Sequence, residues 1–411
     1  MLIKCLLDWI LMKKILALDI KFSAMQFFFF ASFGALMGYA SVYLLSRGIS
    51  TSVIGVALAS TSAIAFFCQP VMASFADKNK QIELRYIICA ALLVSIGLAF
   101  ALIMAPDAGM LLVCMFVAIG TLLSTIMPLV NTLAFQFEKY GIAINFGVAR
   151  GVGSAAYAII AYIVGQLVEM YDAGIVPIVF IVFNLVLTFF VYTFVLPKGI
   201  SKEVQEPQQE QKVATKEASE DLSFFQFATR YKTLTTFVFG TVFIFFAHTI
   251  INNYMILVIG PIGGTEADMG LAVSLAAILE LPAMFFFDNL RQKLTLNKLL
   301  KISAVMFVVK HALTAFAPNI MFIYIAQATQ MLAYAILCPA SVYLVNELVD
   351  SKDLTKGQSL VTMGQSLSGI IANLVGGVLI DTIGVRPVLW MGAVVTAIGS
   401  FIVMTSTKHL K

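Results

Sequence analysis

Residues 199–222 read GISKEVQEPQQEQKVATKEASEDL and form the longest polar segment of the chain. The segment is rich in Glu, Gln and Lys, and such a composition cannot bury enough apolar surface to fold on its own. We therefore predict a flexible linker over residues 198–230. Apolar runs follow one another on both sides of it, each long enough for the roughly 20 residues with which a helix spans a bilayer. Six runs precede the linker and six follow it.

The composition requires lipid as the main solvent of this chain. Of its 411 residues, 60% are hydrophobic and 12% are charged, whereas a soluble domain carries about 25% charged residues. The apolar runs are continuous rather than alternating, which indicates helices and not strands. We predict an all-α membrane protein with twelve transmembrane helices in two six-helix bundles. The predicted spans are 21–46, 51–76, 83–104, 109–136, 142–168, 174–196, 232–258, 267–290, 297–316, 319–346, 357–382 and 385–406.

The basic residues indicate the orientation of these spans. Of 26 Lys and Arg residues, 22 fall in the N-terminus, the even-to-odd loops, the linker or the C-terminus, and only Arg47 and Arg386 fall in the opposite loops. Because cytoplasmic loops carry the excess of Lys and Arg, both termini are predicted in the cytoplasm and the protein in the cytoplasmic membrane. The predicted regions are a cytoplasmic leader (1–20), a first bundle (21–197), the linker (198–230), a second bundle (231–406) and a cytoplasmic tail (407–411).

Several function classes lack their sequence features. The net charge of +4 comes from short loops without a basic patch interleaved with aromatic residues, so we expect no nucleic-acid partner. The five cysteines match no metal or redox spacing, and the three histidines are scattered. No nucleotide-binding Gly-Lys-Ser/Thr loop is present. We therefore predict neither an enzyme nor a metal or cofactor site.

The loop between the second and third spans carries a motif. Residues 69–78 read QPVMASFADK, and Arg85 follows. Together with the six-plus-six layout, this loop resembles the signature of the major facilitator superfamily, although Ala73 stands where the family has a Gly. The resemblance implies a conformational latch of Asp77, Lys78 and Arg85, in which a carboxylate and cations bridge neighbouring helix ends.

Further segments narrow the resemblance. They are QFFFF at 26–30, GY at 38–39, PLVN at 128–131, NFGVARGVGS at 145–154 and ELPAMFF at 280–286. Their order and spacing are similar to the oligosaccharide:proton and nucleoside:proton symporter branch. The resemblance implies a monomeric secondary transporter, surrounded by lipid, that moves a saccharide or nucleoside by alternating access with protons as the coupling ion.

Arg150 is the first candidate substrate-binding residue. An Arg inside a membrane helix costs about 2.5–3.5 kcal/mol on insertion scales, so it must face protein or water. Its planar fork of donors suits sugar hydroxyls or a carboxylate. Asn131 occupies a position that is acidic in lactose carriers, so the resemblance implies a substrate contact here without implying a galactoside.

Glu280 is the clearest mid-membrane carboxylate of the second half and is predicted to serve both substrate binding and proton coupling. Lys310 and His311 interrupt the ninth span and are predicted to take part in that coupling, since a buried Lys pairs with a carboxylate and imidazole titrates near neutrality. His248 is a second imidazole within a span. Structural hydrogen bonding between helices remains the alternative for each histidine.

Three more residues complete the predicted substrate site. Asn252 in the seventh span and Gln327 in the tenth span are amides that need hydrogen-bond partners at bilayer depth, and Tyr39 is included by family resemblance. The tenth span has Gln327, Gln330 and Ala333 where lactose carriers have a charged relay. Proton coupling would then rest on Glu280 and a histidine.

Two other functions remain open at this stage. A drug or metabolite exporter of the same superfamily fits the apolar lining, but the Gly-Pro pattern of the fifth span in such exporters is missing. A membrane enzyme or receptor that has kept a carrier fold would need a catalytic constellation or an output domain, and the linker is too short to supply the latter.

Overall fold

The apolar runs form helices because lipid offers backbone N–H and C=O groups no other partners. A computed structural model describes residues 2–79, 81–137, 140, 142–196 and 224–408, and all regular structure in these ranges is helical. Twelve helical segments in these ranges are long and apolar enough to cross a membrane. The predicted fold class is therefore confirmed.

The first six spans are formed by seven helices. They are α1 (Leu2–Leu36), α2 (Ala40–Ser46), α3 (Thr51–Lys78), α4 (Leu84–Met104), α5 (Met110–Thr132), α6 (Phe146–Met170) and α7 (Ile175–Tyr192). The first span, Ile15–Ser46, combines α1 and α2, and a 3₁₀ turn at Leu133–Phe135 extends α5.

After the short helix α8 (Phe224–Arg230) come nine helices, of which seven form the last six spans and two lie between spans. They are α9 (Lys232–Asn253), α10 (Met255–Ile259), α11 (Glu266–Phe285), α12 (Phe287–Lys293), α13 (Leu296–Phe316), α14 (Ile320–Ala328), α15 (Tyr334–Leu348), α16 (Leu354–Ile383) and α17 (Val385–Ser406). The two that lie between spans are α10 and α12. The tenth span, Ile320–Leu348, consists of α14, a 3₁₀ turn at Thr329–Met331 and α15.

Helices begin at two places inside segments that were predicted without helices, while the division into regions stays a prediction. Helix α1 begins at Leu2, within the predicted leader, because no Gly or Pro interrupts residues 2–33. The last seven residues of the predicted linker form α8, where aromatic residues replace the Glu-rich composition. Residues 198–223 lie outside the described residues, so the flexibility of the linker stays a prediction, as does the cytoplasmic side of both termini.

Each half repeats one packing pattern. In the first half α1 packs against α6 and α7, and α4 packs against α5 and α7. In the second half α9 packs against α16 and α17, and α13 packs against α15 and α17. The first span of each half thus contacts the fifth and sixth, and the third contacts the fourth and sixth. This is the internal repeat expected of major facilitator halves.

The chain forms two compact units whose boundary differs from the predicted bundles in one segment. Of the described residues, the first unit comprises those up to Tyr43 and those from Ser60 to Leu196; the second comprises Leu44–Ala59 and the chain from Phe224 onward. Within the second unit, Asp381 Oδ2 accepts from the Ser52 backbone N–H at 2.7 Å and from its hydroxyl. A carboxylate at a helix N-terminus is favourable, which helps hold the start of α3 in this unit.

Candidate functional site

In the first unit, the predicted Arg150 lies on α6 beside α1. Its Nη1 donates to Ser154 Oγ at 3.1 Å, and its Cζ lies 4.3 Å from the centroid of the Phe30 ring. Gly153 makes this proximity possible, since a Cβ there would lie 2.6 Å from Phe30. The guanidinium is half-buried, and stacking on an aromatic face offsets part of its desolvation.

The predicted Asn131, on α5, is hydrogen-bonded to Gln26 of α1. Gln26 Nε2 donates to Asn131 Oδ1 at 3.0 Å, and Gln26 is fully buried. The other amide atom, Gln26 Oε1, is buried without a hydrogen-bond partner among the described residues. A buried acceptor without a partner is costly, so a donor from water or from a solute suits this position.

The predicted Tyr39 lies between α1 and α2 and is 2% exposed. Its hydroxyl donates to the backbone oxygen of Ala161 on α6. This bond ties the break in the first span to the fifth span. The substrate contact of Tyr39 stays a prediction, and its hydroxyl already donates to the backbone oxygen of Ala161.

In the second unit, three of the predicted or noted polar residues form a continuous chain. Lys310 Nζ, fully buried on α13, donates to Gln330 Oε1, and Gln330 Nε2 donates to Glu280 Oε1 at 2.7 Å. The amide oxygen faces the ammonium and the amide N–H faces the carboxylate, which is the only orientation that satisfies both charges. Gln330 thus connects the Lys310 ammonium to the Glu280 carboxylate through two hydrogen bonds.

The break in the tenth span presents Gln330 to these groups. Gln330 lies in the 3₁₀ turn between α14 and α15, where the regular helical hydrogen bonds are interrupted. The backbone oxygen of Ala333 beyond the turn accepts from Ser303 Oγ at 2.6 Å in addition to the backbone N–H of Leu337 at 3.1 Å. Discontinuous helices are a common device for building sites within transporters.

Two histidines lie next to this chain. His311 is fully buried, and its Nδ1 contacts Thr396 Oγ1 at 2.6 Å. His248 is 6% exposed, and its Nε2 contacts Asn252 Nδ2 at 3.0 Å. The ring centroids of His248 and His311 lie 6.1 Å apart, and Tyr334 stacks on His248 at 5.8 Å.

Gln327 is the remaining predicted residue of the second unit. It lies on α14 and is 1% exposed, and its Nε2 has no hydrogen-bond partner among the described residues. A buried amide donor without an acceptor costs about 1–3 kcal/mol. The position suits an acceptor supplied by water or solute.

Comparison with known proteins assigns the chain to a family. The model of the MFS_1 like family matches residues 19–391. The chain belongs to this family. The resemblance predicted from the sequence is thereby confirmed, and this MFS protein is a multi-pass membrane transporter, not an enzyme.

Relatives and solved structures agree with this assignment. The chain is 23% identical over 396 residues to a maltose permease of Geobacillus stearothermophilus, covering 94% of each protein. It is 21% identical to the uncharacterized transporter YwbF of Bacillus subtilis (strain 168), covering 90% of this chain and 89% of that protein. The crystal structure of the nucleoside transporter NupG superposes with a TM-score of 0.73 at 14% identity, covering 95% of this chain and 99% of that one.

The three predicted latch residues of this MFS protein, all within the described ranges, form no hydrogen bond or ion pair with one another. Arg85 Nε contacts Glu83 Oε2 at 2.7 Å, and Arg85 Nη1 donates to the backbone oxygen of Tyr192 at 2.8 Å, so Arg85 joins the third span to the sixth. Asp77 and Lys78 are exposed, with no ion pair or hydrogen bond to another side chain within the described ranges. Their latch role remains a prediction.

Sequence reasoning missed a related cluster in the second half. Tyr343 donates to Asp288 Oδ1 at 2.7 Å, and Arg291 Cζ lies 3.9 Å from the Tyr343 ring centroid. The signal was available, because Asp288 ends the eighth span as Asp77 ends the second, and basic residues follow both. Gln26 and Gln330 were also left out of the predicted site, although both are amides within spans.

Proposed function

We propose that this MFS transporter moves a small polar organic solute, a saccharide or a nucleoside, across the cytoplasmic membrane by alternating access and couples that movement to protons. It would act as a monomer in lipid, with both termini in the cytoplasm as the Lys and Arg distribution favours. The names of the maltose permease and of the nucleoside transporter NupG support the two substrate classes.

The observation that carries the proton coupling is the chain from Lys310 through Gln330 to Glu280. A charge in an apolar interior is tolerated only with a compensating partner, so adding a proton to Glu280 leaves the Lys310 ammonium less compensated. The protonation of the two groups is therefore linked. His311 lies beside Lys310 on the same helix and is the third group proposed to exchange a proton.

Solute binding would use polar groups from each half. In the first unit we propose Arg150 and Asn131, and in the second Glu280, Asn252 and Gln327. Arg150 offers a fork of donors, and Gln327 offers a buried donor that lacks an acceptor within the described part of the chain. Hydroxyls and ring nitrogens of saccharides and nucleosides match these donors and acceptors.

Uptake into proteoliposomes tests the proposal. Labelled maltose and labelled uridine are each offered under an imposed pH gradient, inside alkaline. We expect accumulation of one of them, and we expect Glu280→Gln to abolish accumulation while leaving downhill exchange. Glu347→Gln is the matched control, because Glu347 is an exposed carboxylate near the end of α15 in the same half.

Each contrary result addresses a different part of the proposal. Flux that ignores the pH gradient would contradict proton coupling. No flux of maltose, uridine or their close analogues by folded protein would contradict the substrate class. Raised drug resistance on overexpression, without uptake of either solute, would favour the exporter instead.

A further inference from the structure

His248 and His311 each have one ring nitrogen whose partner is fixed and one that is left open. Both side chains are more than nine-tenths buried. His248 Nδ1 and His311 Nε2 have no hydrogen-bond partner among the described residues. Burying an unpaired polar atom is unfavourable, and two of them in adjacent rings call for a common explanation.

The fixed partners determine where each ring proton lies. Thr396 Oγ1 donates its only proton to the backbone oxygen of Gly392 at 2.8 Å, so it must accept from His311 Nδ1. His311 Nε2 is then an acceptor. Asn252 Nδ2 can only donate, so His248 Nε2 accepts from it and the proton of His248 lies on Nδ1. His248 Nδ1 is then a donor.

The two open nitrogens are therefore chemically complementary. One is a donor and the other is an acceptor, and the ring centroids are 6.1 Å apart. One oxygen that bonds both nitrogens at about 2.9 Å can join two nitrogens that lie up to about 5.8 Å apart. A hydroxyl oxygen is suited to such a position, because one O–H group accepts one hydrogen bond and donates another.

We propose that His248 and His311 form a buried hydroxyl-binding subsite in the second unit, in which His248 Nδ1–H donates to an O–H oxygen and His311 Nε2 accepts its proton. The O–H group comes from a bound water or from a hydroxyl of the transported solute. The second source rests on the proposed function, and the first does not. Asn252 and Thr396 act as positioning residues, since they select the ring tautomers.

Magic-angle-spinning NMR of the full chain in lipid nanodiscs, with ¹⁵N-labelled histidine rings, tests the subsite directly. The chain has three histidines, so His248→Phe and His311→Phe each assign one ring and leave His409 as a reference. We expect both rings to be neutral with the proton on Nδ1. We also expect magnetisation transfer from a water proton to both open nitrogens in protein without solute.

Adding maltose or uridine separates the two sources. Loss of the water transfer together with shifts of both open nitrogens assigns the O–H group to the solute, and an unchanged water transfer assigns it to water. A proton on His248 Nε2 would overturn the proposal. So would open nitrogens that contact neither water nor added solute.

Thr396→Val provides a second, independent test. It removes the acceptor of His311 Nδ1–H while keeping the imidazole, so we expect the His311 proton to move to Nε2, where the ring would donate to the O–H oxygen and no longer accept from it. Thr405→Val is the matched control, because Thr405 lies on the same helix with the same bond to a backbone oxygen four residues earlier, and it is exposed. If a solute binds, Thr396→Val should weaken its binding roughly twofold to tenfold, the loss of one hydrogen bond. An unchanged His311 tautomer in Thr396→Val would contradict the positioning role.

Discussion

The two halves of this transporter share a packing pattern but differ in their buried polar chemistry. In the first half, Arg150 contacts a hydroxyl and an aromatic ring, and Asn131 contacts one other amide. In the second half, Lys310, Gln330 and Glu280 form one chain across three spans. A repeated fold therefore does not repeat its chemistry, and function resides in the side chains placed on it.

The difference in burial explains the difference in partners. Arg150 is only half-buried, so its charge keeps part of its contact with solvent beside the Phe30 ring and the Ser154 hydroxyl. Lys310 is fully buried, so its charge requires compensation from within the protein. Under the proposed function, the first half would contribute hydrogen bonds to the solute alone, whereas the second half would also contain the charged groups proposed for coupling.

Lys310→Met should have the largest effect on stability and transport, because it removes the positive end of the Lys310–Gln330–Glu280 chain. Breaking a buried charged partnership costs about 3–5 kcal/mol because it leaves the other charge uncompensated. We expect reduced thermal stability and loss of accumulation in proteoliposomes. Lys298→Met on the same helix is the control, since Lys298 is exposed.

The double variant Glu280→Gln/Lys310→Met sharpens this test. Removing both charges removes the uncompensated one, so we expect thermal stability to recover while accumulation against a gradient stays lost. If the double variant is as unstable as Lys310→Met, the two residues are not energetically linked and the role of Gln330 as a bridge is wrong.

Arg150→Lys should have a smaller effect, which changes the KM of uptake and not its coupling to protons. The positive charge is kept, but the planar fork and its stacking on Phe30 are lost. Loss of hydrogen bonds to a charged group costs about 1.5–3 kcal/mol, which corresponds to a tenfold to hundredfold higher KM. The pH profile of uptake should be unchanged, and a shifted profile would contradict the division between the halves.

Two glycines of the second half, Gly399 and Gly369, differ in how closely a neighbouring helix packs against them. A Cβ added at Gly399 on α17 would lie 2.6 Å from the backbone oxygen of Gly240 on α9, and backbone cannot move aside as a side chain can. We expect Gly399→Ala to destabilise the protein by about 1–3 kcal/mol in thermal unfolding, as overpacking does. Gly369→Ala on α16 meets no atom within 4 Å and should be neutral or slightly stabilising.

The sequence predicted the twelve spans well because their apolar runs are long and continuous. The last span, for instance, was predicted at 385–406 and is α17, Val385–Ser406. The break in the tenth span was not predicted, because Thr329–Met331 contain neither Gly nor Pro, and the side-chain partners of Gln330 in the turn come from other helices. Local sequence does not record such tertiary hydrogen bonds.

The sequence identified some residues of the candidate site and not others. Glu280, Lys310 and His311 were identifiable because ionisable residues within spans are rare. Gln330 was not, since an amide becomes a bridge only when both charges lie at its two ends. Asn252 and His248 were named from the sequence, but their hydrogen bond on α9 and the proximity of His248 to His311 on α13 were not predicted.

The polar clusters at the helix ends provide the smallest and last contrast. In the first half Arg85 binds Glu83, and in the second half the Tyr231 hydroxyl lies 3.0 Å from Asp350 Oδ2 and 3.1 Å from Asp353 Oδ2. Burial raises the pKa of the Tyr231 hydroxyl, and the two neighbouring carboxylates raise it further. The neutral hydroxyl is therefore favoured in the folded protein.

The sign of the resulting pH dependence follows from that shift. Because the folded pKa of Tyr231 lies above its unfolded value of 10.0, the stabilisation is fully present below pH 10 and is lost as the pH rises through the folded pKa. Tyr231→Phe should lower stability at pH 8 by about 1 kcal/mol, one hydrogen bond. The difference from the parent protein should shrink above pH 10 in thermal unfolding. Tyr86→Phe in the first half is the comparison for the loss of a tyrosine hydroxyl at a helix end, because Tyr86 accepts from Arg85 Nη2 instead of donating to a carboxylate in this cluster. A constant difference from pH 8 to pH 11 would mean that Tyr231 acts by packing alone.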